Sequence, residues 1–118
     1  MYKLIQHLIA FKYACKINHW STDNFAHHLL YDRLTEEIDD WVDSLAEDYF
    51  MAENDKVVFQ PDILAHKYIN RDLVKSCETI ISMLEQLQQS PDTNQGLNSL
   101  LSAIEEGFLN KLALAQLT

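Results

Sequence analysis

Glycine and proline are scarce in this sequence, since each occurs only twice in 118 residues. Sheets and hairpins need turn-forming residues about every ten positions, so this shortage disfavours strands and favours a few long helices. The chain also has no apolar run that approaches the roughly 20 residues needed to span a membrane. We therefore expect residues 1–118 to fold as one helical domain with no membrane partner.

Positive charge is scarce as well, with 9 Lys and Arg against 18 Asp and Glu and a formal net charge of -9. A surface of this charge repels phosphate backbones, and no basic stripe or Lys-rich tail offsets it, so DNA binding is disfavoured. Multivalent cations are more natural partners. The first residues lack the layout of a signal peptide, which predicts a cytoplasmic protein.

Cysteine is the other scarce residue, with Cys15 and Cys77 as the two examples. Both are set in apolar helical patterns, and their separation is not that of a metal-binding pair. We therefore expect two reduced thiols in the core and no disulfide.

The apolar residues that are present recur at helical spacing in four segments. The predicted helices run from about Tyr2 to Trp20, from about Asn24 to Glu53, from near Asn70 to residue 89, and from after residue 92 to the last leucines. Residues 21–24 are capping residues between the first two helices, and residues 90–92 end the third and cap the fourth. A connector precedes the third helix and includes a short helix from Pro61 to His66. This layout predicts an all-α, ferritin-like four-helix bundle with a longer crossover between helices 2 and 3.

One face of the second predicted helix carries the residues that could bind a metal ion. At about 100° per residue, the side opposite the apolar stripe presents a histidine and five acidic residues. They are His28, Asp32, Glu36, Asp39, Asp43 and Glu47. His28 and Asp32 are four residues apart, as are Asp43 and Glu47, so each pair can converge on one ion. Imidazole and carboxylate ligands suit iron, manganese or zinc.

Such a face is more often simply solvated. Two features argue for a metal instead: Phe25 and Leu29 share the sector, which indicates a covered surface, and almost no Lys or Arg neutralises the acids. His19 ends the first helix and can approach His28, although a histidine in that stripe is more often packed in the core. His27 points elsewhere, and His7 and His66 have no identifiable partners.

Together these residues resemble the Dps mini-ferritins. The resemblance rests on Lys16-Ile17-Asn18-His19-Trp20, Asn24-Phe25, His28-x-x-x-Asp32 and Asp43-Ser44-Leu45-Ala46-Glu47, and it covers residues 16–48. It implies an iron site between two subunits, with His19, His28 and Asp32 of one chain facing Asp43 and Glu47 of its two-fold mate. It also implies Fe(II) oxidation by peroxide or oxygen, iron storage, and a homo-oligomer that is at least a dimer and in the family a shell.

Two other interpretations stay open from the residues alone. The first is a ferritin-like bundle without catalysis, whose acidic face is a structural or protein-binding surface. The second is a dimer that binds zinc or manganese and has no oxidase activity. Ferroxidase activity is therefore an expectation of the resemblance, and no catalytic residue is predicted beyond the metal ligands.

Overall fold

The structure, a computed structural model, describes residues 1–53, 64–69, 71–91 and 93–117. Four helices make up most of them: α1 is Tyr2–Ser21, α2 is Phe25–Glu53, α3 is Leu73–Gln88 and α4 is Gln95–Gln116. The described residues include no strand. None of the described helices is long and apolar enough to cross a membrane. The chain is an all-α four-helix bundle, as the periodicity and the lack of turn residues predict.

The helices form two hairpins, α1 with α2 and α3 with α4. Asn18 near the end of α1, Tyr31 near the start of α2 and Leu73 at the start of α3 line one cavity of about 240 Å³. The imidazole of His27 bonds to the carbonyl oxygen of Ala115, which places the end of α4 at the same end of the bundle. Because α2 and α3 begin at the same end, they run in the same direction, which agrees with the predicted crossover between helices 2 and 3. Residues 54–63 and 70 of that connection lie outside the described residues.

The turn between α1 and α2 is short because its polar residues cap α2. The backbone N–H of Asn24 donates to the hydroxyl oxygen of Thr22 at 3.2 Å, and the N–H of His27 donates to the side-chain oxygen of Asn24 at 3.0 Å. The capping cluster predicted at residues 21–24 is confirmed, and it brings the last turn of α1 against the first turn of α2.

The predicted starts of α3 and α4 are wrong by a few residues. α3 begins at Leu73 and not near Asn70, because the Asp72 carboxylate accepts hydrogen bonds from the N–H groups of Val74 and Lys75. α4 is capped by the side chain of Asn94, not by residues 90–92. Of the predicted short helix, residues 64–65 are helical and 66–69 form turns, while Pro61 and its neighbours up to residue 63 lie outside the described residues.

The core lies along the facing sides of the four helices. Phe108 of α4 packs between α1 and α2, with its ring 6.1 Å from that of Phe11 and 5.2 Å from that of Trp41. The two cysteines are buried free thiols, as predicted. Burial raises the pKa of Cys77 to about 12, so this thiol stays protonated and behaves as an apolar core group.

Candidate metal centre

Two histidines meet where α1 and α2 join. His19 lies in the last turn of α1 and His28 in the first turn of α2, and the capped turn between the helices brings them face to face. Their ring centroids are 3.8 Å apart and the ring planes differ by 17°. The approach of His19 to His28 follows the sequence prediction, and both rings are half-buried.

Each ring is fixed by a hydrogen bond to the backbone of the other residue. Nδ1 of His19 lies 2.7 Å from the carbonyl oxygen of His28, and Nδ1 of His28 lies 2.7 Å from the carbonyl oxygen of His19. A carbonyl oxygen can only accept, so both Nδ1 atoms carry the proton. In a neutral ring this leaves the lone pair on Nε2, the state in which imidazole ligates a metal.

The three carboxylates of the predicted site are not gathered around this pair within one chain. Asp32, Asp43 and Glu47 all have exposed side chains. Asp32 and Asp43 are eleven residues apart on α2, about 16 Å at 1.5 Å per residue, so they cannot share an ion with each other. In the part of the chain that the structure describes, no three His, Cys, Asp or Glu side chains are close enough to hold a metal. One chain therefore supplies a pair of imidazoles and, separately, a row of acids.

Large exposed apolar side chains are neighbours of the two histidines on α1 and α2. Trp20 follows His19 and is 69% exposed, while Phe25 and Leu29 flank His28 on α2 and are 75% and 48% exposed. The Phe25 ring lies 6.2 Å from that of His28 and nearly parallel to it, at 17°. We call Trp20, Phe25 and Leu29 the apolar rim. Exposed apolar groups in one patch commonly mark a contact surface.

The acidic face of α2 is less free of cations than the sequence indicates. Asp39 forms an ion pair with Lys12 of α1, a contact across the hairpin that helical periodicity alone does not show. Asp32, Asp43 and Glu47 form no ion pair with any residue that the structure describes. The prediction that cations do not neutralise the acidic face therefore holds for the three carboxylates assigned to the site.

The remaining histidines have other roles. The His27 imidazole bonds to Ala115 at 3.1 Å and so points away from the pair, as predicted. His66 is exposed. His7 is 8% exposed, and its Nδ1 lies 2.7 Å from the hydroxyl of Tyr68, a partner 61 residues away that no sequence spacing could reveal.

Comparison with known proteins identifies the family to which the chain belongs. No curated protein and no solved structure matches the chain significantly. A family model matches residues 19–112, which begin at His19 and include α2, α3 and most of α4. Because this match covers most of the sequence, the chain belongs to DUF5856, a family of unknown function.

Proposed function

We propose that this protein binds iron as a homodimer, or as a larger assembly built from dimers, and oxidises Fe(II) at a site shared by two chains, as the Dps mini-ferritins do. The observation that carries the proposal is the histidine pair, whose Nδ1 atoms donate to backbone carbonyls at 2.7 Å. Metal-ligating histidines usually donate their second ring nitrogen in this manner, because the hydrogen bond fixes the tautomer and orients the lone pair. Among the described residues, neither Nε2 has another hydrogen-bond partner.

A second chain would complete the set of ligands. Imidazole nitrogens alone leave the charge of Fe(II) uncompensated, and carboxylates compensate it. Asp43 and Glu47 are one helical turn apart, exposed and without ion pairs, so they are available to another molecule. With the α2 helices antiparallel across a two-fold axis, the amino-terminal end of each helix faces the carboxy-terminal half of the other. His19, His28 and Asp32 of one copy would then face Asp43 and Glu47 of its mate.

The apolar rim supports contact between copies at this place. Phe25 and Trp20 leave most of their surface in water in the single chain, at 75% and 69%. Burial of such rings gives about 1.5–3 kcal/mol each, which favours association at the end of α2 where the histidines lie. The formal charge of -9 opposes association of two identical chains, and bound cations would relieve that repulsion.

The proposed reaction is the oxidation of Fe(II) by hydrogen peroxide, and its electrons and protons balance. Two Fe(II) ions each give one electron to one molecule of hydrogen peroxide, which takes up two protons and leaves as two molecules of water. The carboxylates hold the ions and favour the higher charge of the product, and the imidazoles complete the ligand set. Iron is here the substrate and the stored product.

The experiment is an anaerobic Fe(II) titration of the purified chain, followed by hydrogen peroxide, with ferric absorbance and particle mass recorded together. We expect oxidation that saturates at a fixed ratio of iron to dimer. His28→Ala should lower the rate at least tenfold, while His66→Ala, which removes an exposed histidine far from the pair along the sequence, should leave it unchanged.

Three outcomes would contradict the proposal. Oxidation that is equally fast in His28→Ala would remove the histidine pair from the chemistry. Saturable binding of Zn(II) or Mn(II) without Fe(II) oxidation would instead identify a metal-binding dimer that has no oxidase activity. Absence of all saturable binding would leave the acidic face as a structural or protein-binding surface.

A further inference from the structure

We propose that the contact between His7 and Tyr68 is an acid-sensitive latch: protonation of His7 releases residues 64–69 from α1 while the helices stay folded. We call residues 64–69 the linker turn, because they lie on the connection between α2 and α3. This inference does not depend on the proposed metal site, since the latch shares no ligand with it.

The linker turn contacts α1 through Tyr68. Tyr68 is 1% exposed, its hydroxyl lies 2.7 Å from Nδ1 of His7, and its carbonyl oxygen accepts a hydrogen bond from the side chain of Asn18 at 2.9 Å. Its ring also packs on Phe11, with centroids 5.2 Å apart. Hydrogen bonds within the turn include those from the N–H groups of Tyr68 and Ile69 to Ala65. The contacts of Tyr68 therefore contribute to holding the turn against α1.

The Tyr68 hydroxyl can donate to His7 only while Nδ1 of the ring carries no proton. Burial raises the pKa of Tyr68 to about 12, so its hydroxyl keeps its proton and donates it to Nδ1 when the neutral ring carries its own proton on Nε2. When His7 gains a proton, Nδ1 becomes a donor and the Tyr68 hydroxyl loses its acceptor. Among the described residues that hydroxyl has no other hydrogen-bond partner, so a buried donor would be left unsatisfied.

The surroundings of His7 also oppose a positive charge. Burial lowers the pKa of His7, and the ammonium groups of Lys67 in the linker turn and Lys3 on α1 lower it further. The linker turn and α1 thus each place a cation near the His7 ring, and no described carboxylate offsets these two charges. The released state, in which the ring meets water, takes up the proton more readily than the latched state.

The direction of the pH effect follows from this difference. A histidine whose pKa is lowered in the latched state binds fewer protons there, so the latched state is favoured at high pH. Its advantage declines as the pH falls below the ordinary histidine value of about 6.5. Relative to pH 7.5, the fraction of molecules with the linker turn released can rise by up to about 30-fold at pH 5.0. This limit applies if the ring takes up no proton in the latched state.

Hydrogen exchange of the whole chain at pH 7.5 and 5.0 tests the latch, with rates corrected for intrinsic pH dependence. We expect the amides of Tyr68 and Ile69 to exchange at least threefold faster at pH 5.0, while amides in the middle of α1 and α4 and the helical circular dichroism stay unchanged. His7→Gln, which keeps an acceptor for Tyr68 but does not titrate, should abolish the response. His66→Gln, an exposed histidine in the same turn, should retain it.

A second measurement keeps the test decisive if His7→Gln folds poorly. In the unaltered protein, the ring proton signal of His7 should titrate with a pKa below about 6.5. A value at or above that figure would overturn the latch. So would acid-induced exchange that persists in His7→Gln, or that disappears in His66→Gln.

Discussion

Among single residues, Lys111 shows how a charge is accommodated inside this bundle. Its side chain is 6% exposed, and its ammonium group lies 2.8 Å from each carboxylate oxygen of Glu37, whose side chain is 38% exposed. The pair joins α4 to α2. Removal of one partner would leave a buried charge without compensation, which costs more than the intact pair contributes.

Glu37→Gln should therefore lower the free energy of unfolding by about 1–2 kcal/mol, since a buried charge loses its partner although water reaches part of residue 37. Asp39→Asn is the matched control, because the Lys12–Asp39 pair joins α1 and α2 at the surface and should change stability by less than about 1 kcal/mol. Urea denaturation near neutral pH measures both. Equal losses in the two variants would contradict this account of Lys111.

The residues of the candidate site show what a sequence can and cannot predict at this scale. The meeting of His19 and His28 follows from a short capped turn between two helices. The reciprocal bonds from Nδ1 to the carbonyls do not follow, because they depend on side-chain torsions that spacing leaves free. The contact of His7 with Tyr68 joins residues 61 positions apart and has no local signal.

At the scale of helices, periodicity predicts which segments are helical, and capping chemistry decides where they begin. The region before α3 offers Asn70 and Asp72, and the region before α4 offers Ser90, Asp92 and Asn94 as capping residues. The sequence alone does not say which of these side chains turns back onto the backbone. In the structure Asp72 and Asn94 do so, which explains why the helices were predicted correctly and their starts were not.

The contact between α2 and α4 depends on a glycine. A Cβ atom at Gly107 would lie 2.4 Å and 2.6 Å from two ring atoms of Trp41, far closer than carbon atoms approach. Alanine favours a helix over glycine by about 1 kcal/mol, but this gain is smaller than the cost of moving a packed indole.

Gly107→Ala should therefore destabilise the protein by about 1–3 kcal/mol in thermal or urea unfolding. Gly96→Ala in the first turn of the same helix is the control, because its nearest atom would be 3.6 Å away and it should be neutral or stabilising by up to about 1 kcal/mol. The cost at residue 107 should shrink in a Trp41→Leu background. A neutral Gly107→Ala would show that the indole is not packed as described.

At the scale of the whole molecule, the chain is a four-helix bundle in which the acids assigned to the site lie on α2, and the apolar rim lies at the start of α2 and the end of α1. In a single copy, solvent reaches the acids at residues 32, 43 and 47 and the side chains of the apolar rim. Helix faces in one sequence predict which side chains could donate to a metal, but they cannot place the side chains of a second copy. In the function we propose, two copies complete the metal site for each other.

Complementation between two inactive variants tests this claim directly. One variant carries His19→Ala with His28→Ala, and the other carries Asp43→Ala with Glu47→Ala; the measurement is anaerobic Fe(II) binding by the variants alone and after unfolding and refolding together. In a mixed dimer, one site combines the intact histidines with the intact carboxylates. Random pairing of equal amounts makes half of the dimers mixed, and each mixed dimer holds one intact site of its two. We therefore predict about one quarter of the original number of sites. Binding that stays absent in the refolded mixture, while the unaltered protein binds iron after the same treatment, would contradict a site shared between chains.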